Sequence, residues 1–362
     1  MRAESYRFLE ALMAAPSPSG FEEPAQEVVY DYLEKHCDRV TSDVHGNVIG
    51  SLNEKAPLRV MLAGHVDQIG LIVKNVTKEG FVQFEAIGGI DPGVVPSLRV
   101  VIHAAKGPVS GVVGKKAIHL LEPEKRNIIE PLDKLWIDIG ADDKKKAEAL
   151  VSVGDPVTFD APMIRLAGET AASSAFDDKV GAFVVAETMR LLKGRKLKVA
   201  VFGVSTVQEE LGLRGARTSA FSVDPHAGIA VDVDHATDYP GANKAIGGEV
   251  KVGAGPTITR GANINRILGD RIVAAAKKNK FPYQLSGEGR ATGTDANAIQ
   301  ISRAGVAAGL IGIPTRYMHT TVEVVSLTDL ETSAELLAAT LLDMPKEIDF
   351  RPLEAHRRRK QA

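Results

Sequence analysis

Cysteine, tryptophan and aromatic side chains in general are scarce in this chain. A single cysteine, Cys37, excludes an intramolecular disulfide, and its position at the end of a predicted helix favours a structural thiol over a nucleophile. One tryptophan and an aromatic content of 5% offer little for a cleft that stacks sugar rings. No apolar run approaches the roughly 20 residues of a membrane-spanning helix, and the N-terminus lacks the apolar core of a signal peptide. We therefore expect a cytoplasmic protein without a membrane partner.

An excess of charge is missing as well. The 44 basic and 46 acidic residues leave a net charge of −2, which provides no field for holding nucleic acid or an anionic membrane. One basic cluster, residues 357–360, is predicted to be a solvated, frayed tail. The chain does have size and apolar content, because 362 residues that are 44% hydrophobic can bury a large core in more than one domain.

Two patterns of apolar residues alternate along the chain. The first, in residues 1–67 and about 169–345, alternates helical periodicity with short apolar runs, which is typical of an α/β sheet covered by helices on both faces. Ser326 and Asp329 have the spacing of a capping box at the start of the last of these helices. The predicted helices are 1–14, 24–36, 178–193, 263–279 and 326–344, and the predicted strands are 58–63, 197–207, 227–233 and 306–313.

The second pattern fills the middle of the chain. Short β-branched runs are separated there by glycine, proline and charged turns, which is typical of a small β-barrel or sandwich. The simplest topology inserts this β domain, residues 68–168, into an α/β domain formed by residues 1–67 and 169–362. The predicted strands of the insert are 69–73, 81–84, 98–102, 109–113, 135–139 and 157–159, with one short helix at 143–150.

Side chains that can bind metals recur where the predicted strands of the α/β domain end. His65 and Asp67 follow the first strand, and residues i and i+2 of a strand share a face, so the two side chains can converge on one point. Open α/β sheets place their sites at strand ends, which favours one shared site. The further members of the set are Asp177, Asp178, Glu209, Glu210, Asp232 and His319.

Each member taken alone has an ordinary explanation. One of Asp177 and Asp178 is expected to be a helix N-cap, and His319 alone would be a surface histidine. Together, carboxylates and imidazoles without thiolates suit Zn²⁺, Co²⁺ or Mn²⁺. Two cations about 3.5–4 Å apart need a bridging carboxylate. A separate carboxylate can then take a proton from water, and adjacent Glu209 and Glu210 offer one residue for each task. The set predicts a two-metal hydrolase.

At these residues the chain resembles the M42 family of dinuclear metallo-aminopeptidases, the glutamyl and leucyl aminopeptidases that assemble as tetrahedral TET particles. The resemblance covers nearly the whole chain and depends on the order and company of several motifs. They are Gly64-His65-Val66-Asp67, Ile87-Gly88-Gly89-Ile90-Asp91-Pro92, Asp138-Ile139-Gly140-Ala141, Val153-Gly154-Asp155-Pro156-Val157, Phe176-Asp177-Asp178-Lys179, Gln208-Glu209-Glu210-Leu211-Gly212 and Arg316-Tyr317-Met318-His319.

The resemblance implies a zinc-peptidase-like mixed sheet and a ligand set for two divalent ions per chain, with zinc first and cobalt or manganese as alternatives. His65 would bind one metal and His319 the other. Asp177 would be the bridging carboxylate. Asp232 would complete the site beside one metal and Glu210 the site beside the other.

The resemblance also implies two residues that do not bind metal. Glu209 would be the general base and would later pass its proton to the leaving amine. Asp67 would hold and polarise the imidazole of His65. Asp234 and His235 are alternative ligands because they lie close to Asp232 in the sequence.

Substrates and assembly follow from the same resemblance. The implied substrates are peptides with free N-termini. The β domain would be a dimerisation domain, and dimers would assemble into a tetrahedral dodecamer. Gln68 stands where the family commonly has an acidic residue, and Thr320-Thr321 replaces a frequent Ser-Pro, so the preferred substrate is open. The glycine-rich stretch 287–295 is expected to line the cleft.

Two alternatives belong to other functional classes. A metal-independent glycoside hydrolase, of the endoglucanase kind, would pair Glu209 with another acid across a groove, but it leaves His65 and His319 unexplained. A non-catalytic assembly protein on the same fold would not explain why the complete set of metal-ligand residues is present. Sensitivity to a chelator separates the first alternative from a metallopeptidase, and the metal content per chain separates the second.

Overall fold

The structure, a computed structural model, describes residues 1–361 and combines a large mixed sheet with helices and a small barrel, as the sequence predicts. The helices are α1 Ala3–Ala14, α2 Glu23–His36, α3 Lys144–Glu148, α4 Phe176–Leu192, α5 Arg214–Val223, α6 Lys244–Gly247, α7 Arg266–Asn279, α8 Asp295–Gln300, α9 Leu327–Leu342 and α10 Pro352–Gln361. Within residues 1–361, none of these helices has the length and apolar character that crossing a membrane requires.

The strands divide among three sheets. They are β1 Arg39–Ser42, β2 Val48–Leu52, β3 Arg59–His65, β4 Gly70–Val76, β5 Val82–Ile87, β6 Arg99–Ala104, β7 Gly107–Gly114, β8 Trp136–Asp138, β9 Pro156–Phe159, β10 Ile164–Arg165, β11 Thr170–Ser173, β12 Ala200–Thr206, β13 Ala227–His235, β14 Thr257–Gly261, β15 Gln284–Glu288, β16 Ala307–Thr315 and β17 Glu323–Ser326. An eight-stranded sheet has the order β1-β2-β12-β3-β13-β16-β14-β15, and β10-β11-β17 form a small one.

Four parallel strands, β12, β3, β13 and β16, form the centre of the large sheet. Their residues are almost all buried, because helices cover both faces of the sheet. This burial explains why each of the four strands is a continuous apolar run in the sequence. His65 pairs with Thr206, and Asp232 pairs with Gly312, so the carboxyl ends of these strands meet at one edge. That edge carries the candidate site.

Helix α4 packs closely against β3 through two glycines. A Cβ atom on Gly64 would lie 2.4 Å from the carbonyl carbon of Gly181, so only glycine allows this approach. The contact brings the first turn of α4 over the end of β3. It therefore places the Asp177-Asp178 pair beside His65.

Strands β4 to β9 close into a barrel of order β4-β5-β8-β7-β6-β9 with its own apolar core. The six predicted strands of the insert therefore form a barrel and not a sandwich. The predicted short helix is present as α3, and the side chain of Asp143 caps it by accepting a hydrogen bond from the backbone N–H of Lys146.

Two predictions about chain ends and caps are wrong. Ser326 occupies the N-cap position of α9 without a side-chain bond, and Asp329 instead accepts hydrogen bonds from the N–H groups of Gly253 and Gly255. A tertiary contact has replaced the expected capping box. The basic cluster 357–360 lies in α10 and is not frayed, although Arg357, Arg358 and Lys360 are exposed to solvent as predicted. Arg358 pairs with Asp349 at 3.1 Å.

Candidate metal centre

His65 ends β3 and is almost completely buried. Its Nδ1 atom lies 3.0 Å from the main-chain oxygen of Asp67, so in the neutral ring that binds a metal an Nδ1–H group donates to that carbonyl and Nε2 keeps its lone pair. Nε2 lies 3.2 Å from Oδ1 of Asp177 and 3.9 Å from Oδ1 of Asp232. Imidazoles that bind metals are commonly held in this way by a bond from the other ring nitrogen.

His319 approaches the same acids from the loop between β16 and β17. Its Nδ1 atom lies 2.8 Å from the main-chain oxygen of Gly89, a residue of the loop that follows β5. Its Nε2 atom lies 3.4 Å from Oδ2 of Asp177 and 3.9 Å from Oε1 of Glu210. The two histidines therefore present equivalent nitrogens to a common centre.

Asp177 lies between the two imidazoles, with Oδ1 directed at His65 and Oδ2 directed at His319. Its neighbour faces another way, because Asp178 accepts hydrogen bonds from the backbone N–H groups of Gly181 at 3.0 Å and of His65 at 3.2 Å. Of the two alternatives in the sequence, Asp178 thus takes the capping contact with α4. Asp177 has both oxygens available for the cluster.

Six side chains form two groups in which one ligand atom from each member lies within 4.8 Å of the others. One group is His65, Glu209 and Asp232, and the second is Asp177, Glu210 and His319. The two sequence alternatives beside Asp232 are in neither group. Asp234 accepts a hydrogen bond from the hydroxyl of Thr257, and His235 is exposed.

The carboxylates of this cluster repel one another. Burial raises the pKa of Glu209 to about 10, and the charges of Asp232, Asp295 and Glu210 add to the effect against the opposing influence of His65. Burial and the neighbouring Asp177 raise the pKa of Glu210 to about 8. No lysine or arginine lines the cavity within residues 1–361. Buried acids without a protein counter-charge, beside two oriented imidazoles, fit a pair of divalent cations.

The pKa of Asp232 and that of His65 are both raised well above their ordinary values. For Asp232 the main cause is burial, and the charge of Asp177 adds to it. For His65 burial acts in the opposite direction, but the carboxylates of Glu209, Asp177 and Asp67 outweigh it by favouring the charged imidazolium.

Two further carboxylates hold the loop that follows β12. Glu22 accepts a hydrogen bond from the N–H of Gln208 at 3.1 Å, and Asp67 accepts from the N–H groups of Glu209 at 3.0 Å and Glu210 at 3.2 Å. Three consecutive backbone amides are therefore bound by acids. The sequence predicted only that Asp67 holds the imidazole of His65. Its Oδ1 atom lies 3.5 Å from Nδ1 of that ring, which is farther than the backbone nitrogens of Glu209 and Glu210.

Sequence reasoning missed several residues that support the cluster. Glu323 is buried and accepts hydrogen bonds from the N–H groups of Asp177 at 2.9 Å and His319 at 3.3 Å. Burial, reinforced by the charge of Asp177, raises its pKa well above the ordinary value. The available signal was a carboxylate inside an apolar run four residues after His319. Glu22 gave no such signal, because it stands among other acids at the start of a helix.

A cavity of about 380 Å³ opens from the cluster. Thr292, Gly293 and Thr294 line it, so the glycine-rich stretch does border the cleft as predicted. Asp295 at the end of that stretch is buried and accepts a hydrogen bond from the hydroxyl of Thr206 on β12. Burial raises the pKa of Asp295 to about 6. The loop is thereby tied to the strand that leads to Glu209.

Comparison with known proteins finds relatives over almost the whole chain. Residues 46–336 match the model of the M42 glutamyl aminopeptidase family. The chain is 34% identical to the lysyl aminopeptidase of Pyrococcus furiosus over 350 residues, which cover 96% of this chain and 99% of that one.

Solved structures give the same result. The TET aminopeptidase of a marine sediment archaeon of the Thaumarchaeota is 36% identical with a TM-score of 0.90, and the match covers 95% of this chain and 98% of that one. The TET1 peptidase of Pyrococcus horikoshii is 30% identical with a TM-score of 0.84, and the match covers 94% and 100%. From its sequence, its fold and these relatives, the chain belongs to the M42 family of peptidases and is an aminopeptidase.

Proposed function

We propose that this aminopeptidase works with two divalent metal ions per chain. The observation that carries the proposal is the position of Asp177, whose two oxygens lie 3.2 Å and 3.4 Å from the Nε2 atoms of two different histidines. A carboxylate directed at two ligand nitrogens in this way suits a bridge between two cations. Zinc is the first choice of metal, with cobalt or manganese as alternatives. The residues that would hold the ions are His65, Asp177, Glu210, Asp232 and His319.

Bound ions of this kind polarise a carbonyl group and make water acidic enough to supply a nucleophile near neutral pH. The protein must then provide a proton acceptor, and Glu209 is our candidate. Its carboxylate lies 3.8 Å from Nε2 of His65, and cations bound beside it would lower its pKa, so that it could accept a proton near neutral pH. Glu209 would take the proton of the attacking water and deliver it to the leaving amine. Its side chain is buried, so this proton is shielded from solvent.

The proposed substrates are peptides with a free N-terminus. The cavity beside the cluster, about 380 Å³, suits one terminal side chain better than a long internal segment. We expect aminoacyl-anilides to be hydrolysed and their N-acetylated forms to be left intact, as measured by anilide release. Equal rates on free and acetylated substrates would contradict an aminopeptidase mechanism that depends on the free amine. The family is described as glutamyl and one relative as lysyl, so these names leave the preferred residue open.

Asp67→Asn is expected to lower kcat by about 10- to 100-fold while metal content changes little. The asparagine side chain has one oxygen in place of the two that accept hydrogen bonds from the backbone N–H groups of Glu209 and Glu210. The loop that carries the base therefore loses one of these hydrogen bonds. Activity assays combined with elemental analysis would measure both quantities. Asp160→Asn, on the surface of the chain, serves as the control. A normal kcat in Asp67→Asn would remove Asp67 from the catalytic apparatus.

We also propose that residues 68–168 form an assembly domain inserted into a catalytic domain of residues 1–67 and 169–362. The barrel has an apolar core separate from that of the large sheet, which supports this division. Apolar side chains of the segment between β7 and β8 are exposed, and such patches commonly mark interfaces. They are Ile118, Leu120, Ile128 and Ile129, with exposed fractions of 52%, 68%, 64% and 60%.

A dodecamer built from dimers is the expected assembly. The Pyrococcus horikoshii TET1 peptidase is described as forming a tetrahedron or a large octahedral shell, which supports closed assembly here. Light scattering should give a mass of about 460 kDa, which is twelve times the 38.6 kDa of the chain. Replacing Ile128 and Ile129 together with aspartate should reduce this mass, whereas Leu353→Asp on α10 should not. A monomer at all concentrations would refute the assembly.

A further inference from the structure

The connector between α1 and α2, residues 15–22, belongs to neither ligand group of the cluster but is bonded to the segments that carry the cluster. It runs along the segment that follows β3. The N–H of Gln68 donates to the main-chain oxygen of Ser17 at 2.9 Å, and the N–H of Ser19 donates to the main-chain oxygen of Gln68 at 3.3 Å. The connector is therefore fixed to the residue that directly follows Asp67.

A second attachment joins the connector to α4. Lys179 is buried and stands two residues after Asp177 in the first turn of that helix. Its Nζ atom donates hydrogen bonds to the main-chain oxygen of Ala15 at 2.6 Å and to Oε1 of Gln68 at 2.9 Å. The turn of α4 that supplies Asp177 is therefore held against the same connector as the segment after β3.

The third attachment reaches the loop that carries Glu209. Glu22 is buried, and its Oε1 atom accepts hydrogen bonds from the N–H groups of Gly20 at 2.8 Å and Gln208 at 3.1 Å. Gln208 has a φ of 52°, in the left-handed region that a residue with a side chain keeps only when surrounding contacts hold it there. The bond from Glu22 is such a contact. Without it Gln208 can relax, and the direction in which the side chain of Glu209 leaves the backbone changes.

Ser19 acts on the same loop through Asp67. Its buried hydroxyl donates to Oδ2 of Asp67 at 2.6 Å, and this oxygen also accepts from the N–H of Glu210 at 3.2 Å. The other oxygen, Oδ1, accepts from the N–H of Glu209 at 3.0 Å. The hydroxyl of Ser19 therefore fixes the orientation of the carboxylate to which both loop amides are bonded.

We propose that the connector 15–22 is part of the catalytic apparatus, with Ser19 and Glu22 as positioning residues for the loop that carries the base. This inference rests on the proposed function, because it takes Glu209 to be the base. Ser19 and Glu22 bind neither substrate nor metal, and they act by fixing the place of the Glu209 carboxylate relative to the attacking water. A displacement of about 1 Å at a reacting group can lower a rate on the order of 10²-fold, so hydrogen bonds at this distance from the chemistry affect turnover.

Glu22→Ala is expected to lower kcat on an aminoacyl-anilide by about 10- to 100-fold in the metal-loaded protein, while KM and the metal content by elemental analysis change little. Glu22→Gln should stay within about threefold of the wild type, because the amide oxygen can accept from the same two N–H groups. Glu23→Ala makes the same change on the exposed neighbouring residue and should leave kcat unchanged. Equal losses in Glu22→Ala and Glu22→Gln would overturn the positioning role, because charge and not hydrogen bonding would then be the cause.

Ser19→Ala is a smaller change that tests the second half of the proposal, including the case in which Glu22→Ala does not fold. It should lower kcat by about three- to tenfold, as expected for one lost hydrogen bond. In the Asp67→Asn background the same substitution should have much less effect, because Ser19 acts through Asp67. Losses that simply multiply in the double variant would overturn the role of Ser19.

Hydrogen exchange in the metal-free protein provides a measurement that does not depend on activity. Peptides that contain residues 208–210 should exchange faster in Glu22→Ala and Ser19→Ala than in the wild type, and peptides from the barrel strands should not change. Faster exchange throughout the chain would indicate a general loss of stability and would overturn the proposal. A normal kcat in both variants also overturns it and leaves the peptidase intact. Normal activity of Glu209→Gln refutes the proposed function instead.

Discussion

Replacing Glu209 with glutamine is expected to lower kcat by about 10²- to 10⁴-fold, the contribution typical of a general acid–base residue. Glutamine has nearly the same shape but cannot accept and release a proton. The backbone N–H of residue 209 keeps its hydrogen bond to Asp67, so the loop should hold its position. Steady-state kinetics on an aminoacyl-anilide, with thermal melting as a check of folding, would measure the effect.

The metal content of the variants distinguishes a base from a ligand at this position. Geometry alone groups Glu209 with His65 and Asp232 as atoms that could surround one cation. A base can be replaced without loss of metal, so Glu209→Gln should retain about two ions per chain by elemental analysis. Glu210→Gln, the matched control on the adjacent residue, should lose metal. If Glu209→Gln also loses an ion, Glu209 is a ligand and the base must be sought elsewhere.

Removing the metal ions is expected to reduce activity by about 10² or more, because polarisation of the carbonyl and activation of water both depend on them. Chelation followed by dialysis, then addition of Zn²⁺, Co²⁺ or Mn²⁺, should abolish and then restore anilide hydrolysis. Asp177→Asn should prevent the restoration, since the amide has only one oxygen, whereas a bridge between ions held at His65 and His319 would need two. A glycoside hydrolase that uses two carboxylates would survive the chelator. Full activity without metal would therefore refute the two-metal proposal.

The stability of the metal-free protein should also depend on pH in a defined direction. The pKa values of Glu209 and Glu210, about 10 and about 8, lie far above the ordinary value of 4.5. The folded state therefore binds more protons than the unfolded state between pH 4.5 and these values, so stability falls as the pH rises through that window. The melting temperature of the chelated protein should be lower at pH 8 than at pH 6. Added metal should remove most of this difference, because it neutralises the carboxylates.

The four central strands of the large sheet could be predicted because strands buried on both faces are continuous apolar runs in the sequence. β3, β13 and β16 are continuous apolar runs, and α4 and α9 have helical periodicity. The outer strands β1, β2, β14 and β15 were missed, since each has only four or five residues. Their pairing depends on residues distant in the chain. The capping box at α9 failed for the same reason, because Asp329 found partners in a loop over 70 residues away.

The sequence by itself determined which residue types stand at the ends of the central strands, and in which order, because strand periodicity and side-chain chemistry are local properties. Only the tertiary structure decided which atoms face one another. It directed Asp177 to two histidines and turned Asp178 into α4. It also placed Glu22 and Glu323 behind the cluster. Such orientations come from contacts between residues far apart in the chain, which no local pattern encodes.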